Sequence, residues 1–284
     1  MCDFTQQAEG LFIWASTVSE YLLTAPYPRR KLSTLVYDRN LPNLRAEAKM
    51  DALYADVLSA CDWSDPDFVC DYKLVIGIII AAKTPLSSFA LQSLYREHRS
   101  LEVNEVLHPL SSVLSGCFDE SYPIRILHLS FRDFLTNRAQ LSSLHERFQI
   151  NEREHSQQLA LLSLRILNED LTLNIPGTGY LTRLTPETRG ISPLDESHVT
   201  EALWYACRFW VEHIIEVEGP VSEAILNPLR KFLTEKLTLW VEVLNSRYPF
   251  QKLSTVREWL QVSVIYQQSS VPAENHIFKE DISG

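Results

Sequence analysis

The chain has 284 residues, with 26 Lys+Arg against 36 Asp+Glu, a formal charge of −10 and a sequence pI near 5.3. That balance argues against an affinity drawn from phosphate neutralisation, since the longest basic run is Arg29-Arg30-Lys31. Hydrophobic residues at 45% and charged residues at 22% exclude disorder across the whole chain, and only 8 glycines leave few tight turns and no cradle for a phosphate.

The N-terminus, Met1 to Gln7, has no basic region ahead of an apolar stretch and carries Asp3, with Glu9 following. It reads neither as a secretory signal nor as a transit peptide, and a cytoplasmic location is expected. Phe4 to Leu23 has helical spacing, with Leu11, Phe12, Ala15, Val18 and Leu22 recurring on one face, and Pro26 and Pro28 stop it. A second helix is predicted near Glu47 to Ala60, carrying Met50, Leu53, Tyr54, Val57 and Leu58. The Asp62 to Asp67 stretch then breaks the chain, and its Ser and Asp residues suit an N-cap followed by proline near the first helical position.

A different order begins there. Helices are predicted over Asp67 to Ala82, Ser87 to Tyr95 and Leu101 to Leu110, followed by β-prone runs Ser112 to Phe118 and Pro123 to Leu129. The apolar run Leu74 to Ala82 is nine residues, against the ~20 needed to span a bilayer, so no membrane is implied. In the second β run Ile124, Ile126 and His128 point one way and Arg125, Leu127 and Leu129 the other. Three helices and a hairpin is winged-helix order. Winged helices often place the third helix in the DNA major groove, but here it carries Glu102 and Glu105 and no Lys or Arg, so packing against protein is expected instead.

After the hairpin Ser130 can cap a short helix, Phe131 to Leu135. Asn151-Glu152-Arg153-Glu154 is a capping box opening a helix with Leu159, Leu162, Ile166 and Leu167 on one face. Residues 168–198 read as a long irregular connection, with Pro176-Gly177, Gly179, Pro186, Gly190 and Pro193. Helices resume over Thr200 to Val217, Ser222 to Leu244 with an interruption at Pro228, and Ser254 to Tyr266; the polar end from Gln267 is expected to fray. The fold class expected is mainly α: a helical bundle, a winged-helix domain with a small β-hairpin, then a second helical region.

Chemistry-bearing motifs are sparse. There is no Gly-x-x-x-x-Gly-Lys-Ser/Thr, no His-Glu-x-x-His and no Gly-x-Ser-x-Gly, and Gly177-Thr178-Gly179 reads as a turn. Five widely spaced cysteines without a Cys-x-x-Cys pair suit buried, reduced thiols rather than a zinc or disulfide framework. No catalytic residue and no metal site is expected. His213 and Glu212 lack partners at ligand spacing and read as surface residues, whereas Trp204, Trp210 and Trp240 at helical spacing read as core rather than as a docking surface. Arg132 and Asp133 suit either an interdomain latch or a solvated face.

Three stretches together resemble one family. Ala8-Glu9-Gly10-Leu11-Phe12-Ile13-Trp14-Ala15-Ser16 is similar to the helix that follows the nucleotide-binding core of fungal NACHT proteins, signalling STAND NTPases related to NOD-like receptors. Ile124 to Leu135, containing His128-Leu129-Ser130-Phe131-Arg132-Asp133-Phe134, resembles the end of their winged-helix domain, and it is the most specific of the three. Ala202 to Ile214 resembles a helix downstream of it, and Leu239 to Leu244 fits the next element. The resemblance implies a first helical domain (1–60), a winged-helix domain (65–138), a second helical region (144–268) and a flexible tail (269–284).

It also implies that the NTPase core lies upstream of Met1 or is lacking. Nucleotide hydrolysis is therefore not carried over, no cofactor is expected on this chain, and ADP or ATP would enter only through a nucleotide-binding domain. The Gly-x-Pro element that many relatives place against adenine is missing, because Gly10 is followed by Leu11-Phe12. His128 matches the winged-helix histidine that in related receptors reaches the β-phosphate of ADP and holds the closed state; alternatively it is a half-buried hairpin residue capping the helix at Ser130.

The function implied is a non-catalytic regulatory and interaction module of innate-immunity or heterokaryon-incompatibility type. It would clamp a nucleotide-binding domain in cis or in trans and link it to a sensor, with other proteins as further partners and no nucleic acid. A free-standing helical adaptor or decoy acting on a full-length receptor is the alternative, and a winged-helix DNA binder comes third.

Overall fold

A computed structural model describes residues 12–24, 27–37, 46–98, 101–181, 194–218, 221–247 and 253–269. The protein is mainly helical, with a single two-stranded antiparallel sheet among the described residues.

The first three helices are α1 (Phe12–Thr24), α2 (Pro28–Tyr37) and α3 (Ala46–Ser59), with α1 packed on both of the others. Trp14, Val18 and Tyr21 from α1 and Met50, Leu53, Tyr54, Val57 and Leu58 from α3 are buried. The start of the first predicted helix, before Phe12, lies outside the described residues. Helix α1 ends at Thr24, ahead of the two prolines as expected, but α2, which begins at the second of them, is not among the predicted helices. Pro28 is the first residue of α2, where a missing N–H leaves nothing unsatisfied, and Tyr27 turns the chain into it with φ of 59°.

Helix α4 (Pro66–Ala81) begins where its cap is written: Asp65 accepts from the Asp67 amide at 2.9 Å and Pro66 opens the first turn. Helix α5 (Ser88–Leu94) is capped by Ser87, and α6 (Val103–Leu107) runs into a 3-10 turn, His108–Leu110. The β runs pair over less than predicted: β1 (Leu114–Ser115) and β2 (Arg125–Ile126) match Leu114 to Ile126 and Ser115 to Arg125, and one further bridge joins Ser87 to Pro123. Gly116 starts the turn between them with φ of 82°, and a Cβ there would lie 2.7 Å from the Pro123 carbonyl oxygen. Ile124 is buried and Arg125 exposed, as alternation requires.

Helix α7 (Leu129–Asp133) continues as one π turn, Phe134–Arg138, and two 3-10 turns lead to α8 (Glu152–Asp170). Asn151 caps α8 by accepting from the Glu154 amide. Beyond it lie α9 (Glu201–Ile214), α10 (Glu223–Glu235), α11 (Leu237–Arg247) and α12 (Ser254–Ser269). The chain break expected at Pro228 falls instead at Lys236, with Pro228 inside α10. The polar end after Ser269 lies outside the described residues, as do residues 182–193 of the predicted irregular connection; of the rest, 168–170 still belong to α8, 171–181 is a series of turns and Glu196–His198 is a 3-10 turn.

Helix α8 is the centre of the molecule, packed on α9, α10 and α4. Its approach to α4 is close enough to dictate a residue: a Cβ on Gly77 would meet the His155 ring at 2.3 Å. Trp210, Phe232 and Trp240 meet edge to face behind α9, with ring centroids 5.0 to 6.2 Å apart. Trp210 and Trp240 are therefore core, as is Trp204. Among the described cysteines Cys61, Cys117 and Cys207 are buried and Cys70 exposed, none in a disulfide. No helix among the described residues is long and apolar enough to cross a membrane.

Candidate functional site

The motif singled out by the sequence lies at the joint between α3 and the end of the hairpin. His128 has extended backbone and caps α7, its Nδ1 accepting from the Ser130 amide at 3.2 Å. The expected cap, Ser130, is two positions past the actual one: it is already helical, and its hydroxyl serves another purpose. Ser130 Oγ lies 2.7 Å from His128 Nδ1 and 2.7 Å from the Tyr54 hydroxyl.

The directions of these bonds follow from what each atom can do. An amide only donates, so Nδ1, which receives it, carries no proton. The Ser130 hydroxyl then donates to Nδ1 and its oxygen accepts from Tyr54. Burial pushes the Tyr54 phenol up from its ordinary pKa, which keeps it in the donating form. The relay Tyr54 to Ser130 to His128 thus places the proton of the neutral imidazole on Nε2, on the far side of the ring from Ser130. His128 is exposed rather than half-buried, so this donor faces outward.

A second set of bonds fixes the same joint. The π turn lodges an extra residue in the helix after α7, and Arg138 at its end reaches two ways. Its Nε donates to the two oxygens of Asp51 at 3.0 and 2.9 Å, its Nη2 donates to the Ser130 carbonyl at 2.8 Å, and Glu47 lies 3.3 Å from Nη1. Phe131 and Phe134 close the joint by packing on Tyr54 with centroids 5.0 and 5.9 Å away. Arg132 pairs with Glu152 at the start of α8, whereas Asp133 is exposed. Both members of that pair are part-exposed, so it contributes at most about 1 kcal/mol.

A second polar cluster corrects the reading of His213. It is fully buried, not on the surface, while Glu212 is half-buried and paired with Arg208 on its own helix. The Lys83 amide donates to the Tyr205 hydroxyl at 3.1 Å, and Tyr205 lies 2.7 Å from His213 Nε2. His213 Nδ1 is 2.8 Å from Ser156 Oγ, Ser156 binds Glu216, and Glu216 meets the Lys83 ammonium at 2.5 Å.

An amide at one end and a carboxylate at the other set the polarity. Tyr205 donates to Nε2, Nδ1–H donates to Ser156, and Ser156 donates to Glu216. Desolvation, helped by the Lys83 charge, lowers the His213 pKa to about 4 and keeps the ring neutral. Glu216, despite the opposing effect of its own burial, is held below the usual carboxylate range by Lys83 and Ser156. Ser156 therefore gives its proton to a carboxylate and receives one from the imidazole, the reverse of a serine nucleophile and its base.

The sequence pointed to His128 but not to its partners. Tyr54, Asp51 and Arg138 stand far from it in the chain, and only the His-x-Ser spacing, in which a side chain can accept from the amide two residues on, carried a local signal. Among the described residues no group of His, Cys, Asp and Glu is placed to hold a metal ion. No protein family, curated protein or solved structure matches the chain.

Proposed function

We propose that the chain is a regulatory and interaction module of NACHT type, without catalysis of its own, that packs against a nucleotide-binding domain supplied in cis or in trans. In this reading the first helices (1–60), a winged helix (65–138) and a second helical region (144–268) clamp that domain in the cytoplasm and link it to a sensor. The observation that carries it is the outward Nε2–H of His128, whose tautomer is set by Tyr54 and Ser130. A donor held in this way suits an oxyanion such as a diphosphate on a facing domain, and loss of that contact on nucleotide exchange would release the clamp. The order α4, α5, α6, β1, β2 supports the winged-helix reading, and exposed Glu102 and Glu105 on and beside α6 favour a protein over DNA as what it faces.

The test is titration calorimetry with the full chain. ADP alone is expected to give no micromolar binding, whereas an ADP-loaded nucleotide-binding domain of a NACHT protein is expected to associate. His128→Ala should weaken that association by about 10-fold, the worth of one hydrogen bond to a charged acceptor. Micromolar ADP binding by the chain alone, or an unchanged affinity in H128A, would overturn the proposal.

A further inference from the structure

The tip of the β1–β2 hairpin and the start of α5 carry a patch that the His128 joint does not use. Phe118 and Tyr122 in the connecting loop are 73% and 56% exposed, and Phe89 on α5 is 59% exposed. They belong to one surface, because the Phe89 amide donates to the Glu120 carbonyl at 3.2 Å and Ser87 bridges to Pro123. The loop is held in shape: Asp119 accepts from the Ser121 amide and hydroxyl at 3.0 and 2.7 Å, and His108 stacks on Phe118 with centroids 5.1 Å apart. The rings are thus presented by an ordered loop.

The charge carried by α6 and by the loop itself is acidic, and the nearest cation along the chain is Arg125 on β2, beyond the loop. From Leu101 to Ile124 the sequence contains Glu102, Glu105, Asp119 and Glu120 and no Lys or Arg. Elsewhere the chain covers part-exposed rings with its own guanidinium groups: Arg147 lies 5.3 Å from the Trp63 ring, and Arg208 lies 5.1 Å from that of Phe209. Among the described residues no cation stands over Phe89, Phe118 or Tyr122. We propose that this patch docks an arginine-bearing segment of another protein, whose guanidinium groups stack on the three rings and pair with Glu105, Asp119 and Glu120. Arginine suits it better than lysine, because a planar, weakly hydrated guanidinium can lie on a ring and still bind a carboxylate at its edge.

Fluorescence anisotropy of the full chain with a labelled peptide tests this. The probe carries three arginines separated by prolines and leucines, and its control has citrulline at the same positions, similar in shape and uncharged. The arginine peptide is expected to bind at least about 10-fold more tightly than the citrulline peptide, and Phe118→Ala with Tyr122→Ala together should remove most of that difference. Glu120→Gln should weaken binding several-fold, while Glu235→Gln, an equal change of charge on α10, should leave it unchanged. All four side chains are exposed, so an unaltered thermal transition will show that the variants fold.

Equal binding of the two peptides, or binding indifferent to F118A/Y122A, would overturn the proposal. So would an E235Q effect as large as that of E120Q, since it would mean a general attraction to the net charge of −10. Self-association of the chain that F118A/Y122A abolishes would assign the patch to a second copy and overturn the separate partner.

Discussion

Acid should weaken this protein through its buried imidazoles, His155 and His213, both held below the ordinary histidine value by burial, and the size of the effect can be worked out for His213. His213 is neutral in the folded chain with a pKa of about 4, against 6.5 for the free group. Its folded pKa is depressed, so between those values the unfolded chain binds more protons and stability falls as pH falls. Going from about pH 7 to about pH 5, the linkage integral gives a loss of about 2 kcal/mol from this group. With an m-value of about 3 kcal/mol per molar in urea, the unfolding midpoint should drop by roughly 0.6 M. Tryptophan fluorescence reports the transition, since Trp210 and Trp240 are fully buried. His213→Gln keeps one donor and one acceptor but cannot titrate, so it should lose most of this extra pH dependence. Equal slopes in H213Q and the parent chain would refute the reasoning.

Two further outcomes are expected. Gly77→Ala should destabilise the chain by about 1–3 kcal/mol through the clash with His155, and Gly77→Ala combined with His155→Ala should recover part of that loss, a coupling that a double-mutant cycle in urea measures directly. Glu242 is buried on α11 and accepts the Gly179 and Leu181 amides, so Glu242→Ala should remove both of these hydrogen bonds, cost about 1–3 kcal/mol and raise amide exchange in the 172–181 turns.

Helix starts were legible because the caps that make them are local. Asp65 before Pro66, Asn151 before Glu154 and Thr200 before Leu203 each satisfy an amide two or three residues on, and the sequence shows the donor and acceptor side by side. Prolines were legible only in part: the same residue that ends one helix opens another at Pro28 and is absorbed within α10 at Pro228. The burial of His213 was not legible at all. A histidine with no partner at ligand spacing reads as surface; Tyr205 stands two turns back on the same helix, but Ser156, and Lys83 beyond it, come into the chain only when α9 lies on α8 and the end of α4. Likewise His128 showed itself as a motif, while the relay that sets its proton needs Tyr54 from a separate helix.

The hydrogen-bonded chain around His213 begins at the Lys83 amide and returns to the Lys83 ammonium. The Lys83–Glu216 end of it is exposed, but opening either bond to the His213 ring strands a buried group, so the inner links tie α8 to α9. With the His155 ring seated directly on the Gly77 backbone, α4, α8 and α9 behave as one stiff block. The joint between α3 and α7 rests on part-buried bonds, those of Arg138 to Asp51 and to the Ser130 carbonyl and that of Tyr54 to Ser130, with none to a fully buried ring nitrogen. A swing of the first helices relative to the rest would therefore pivot there, at the residues beside His128.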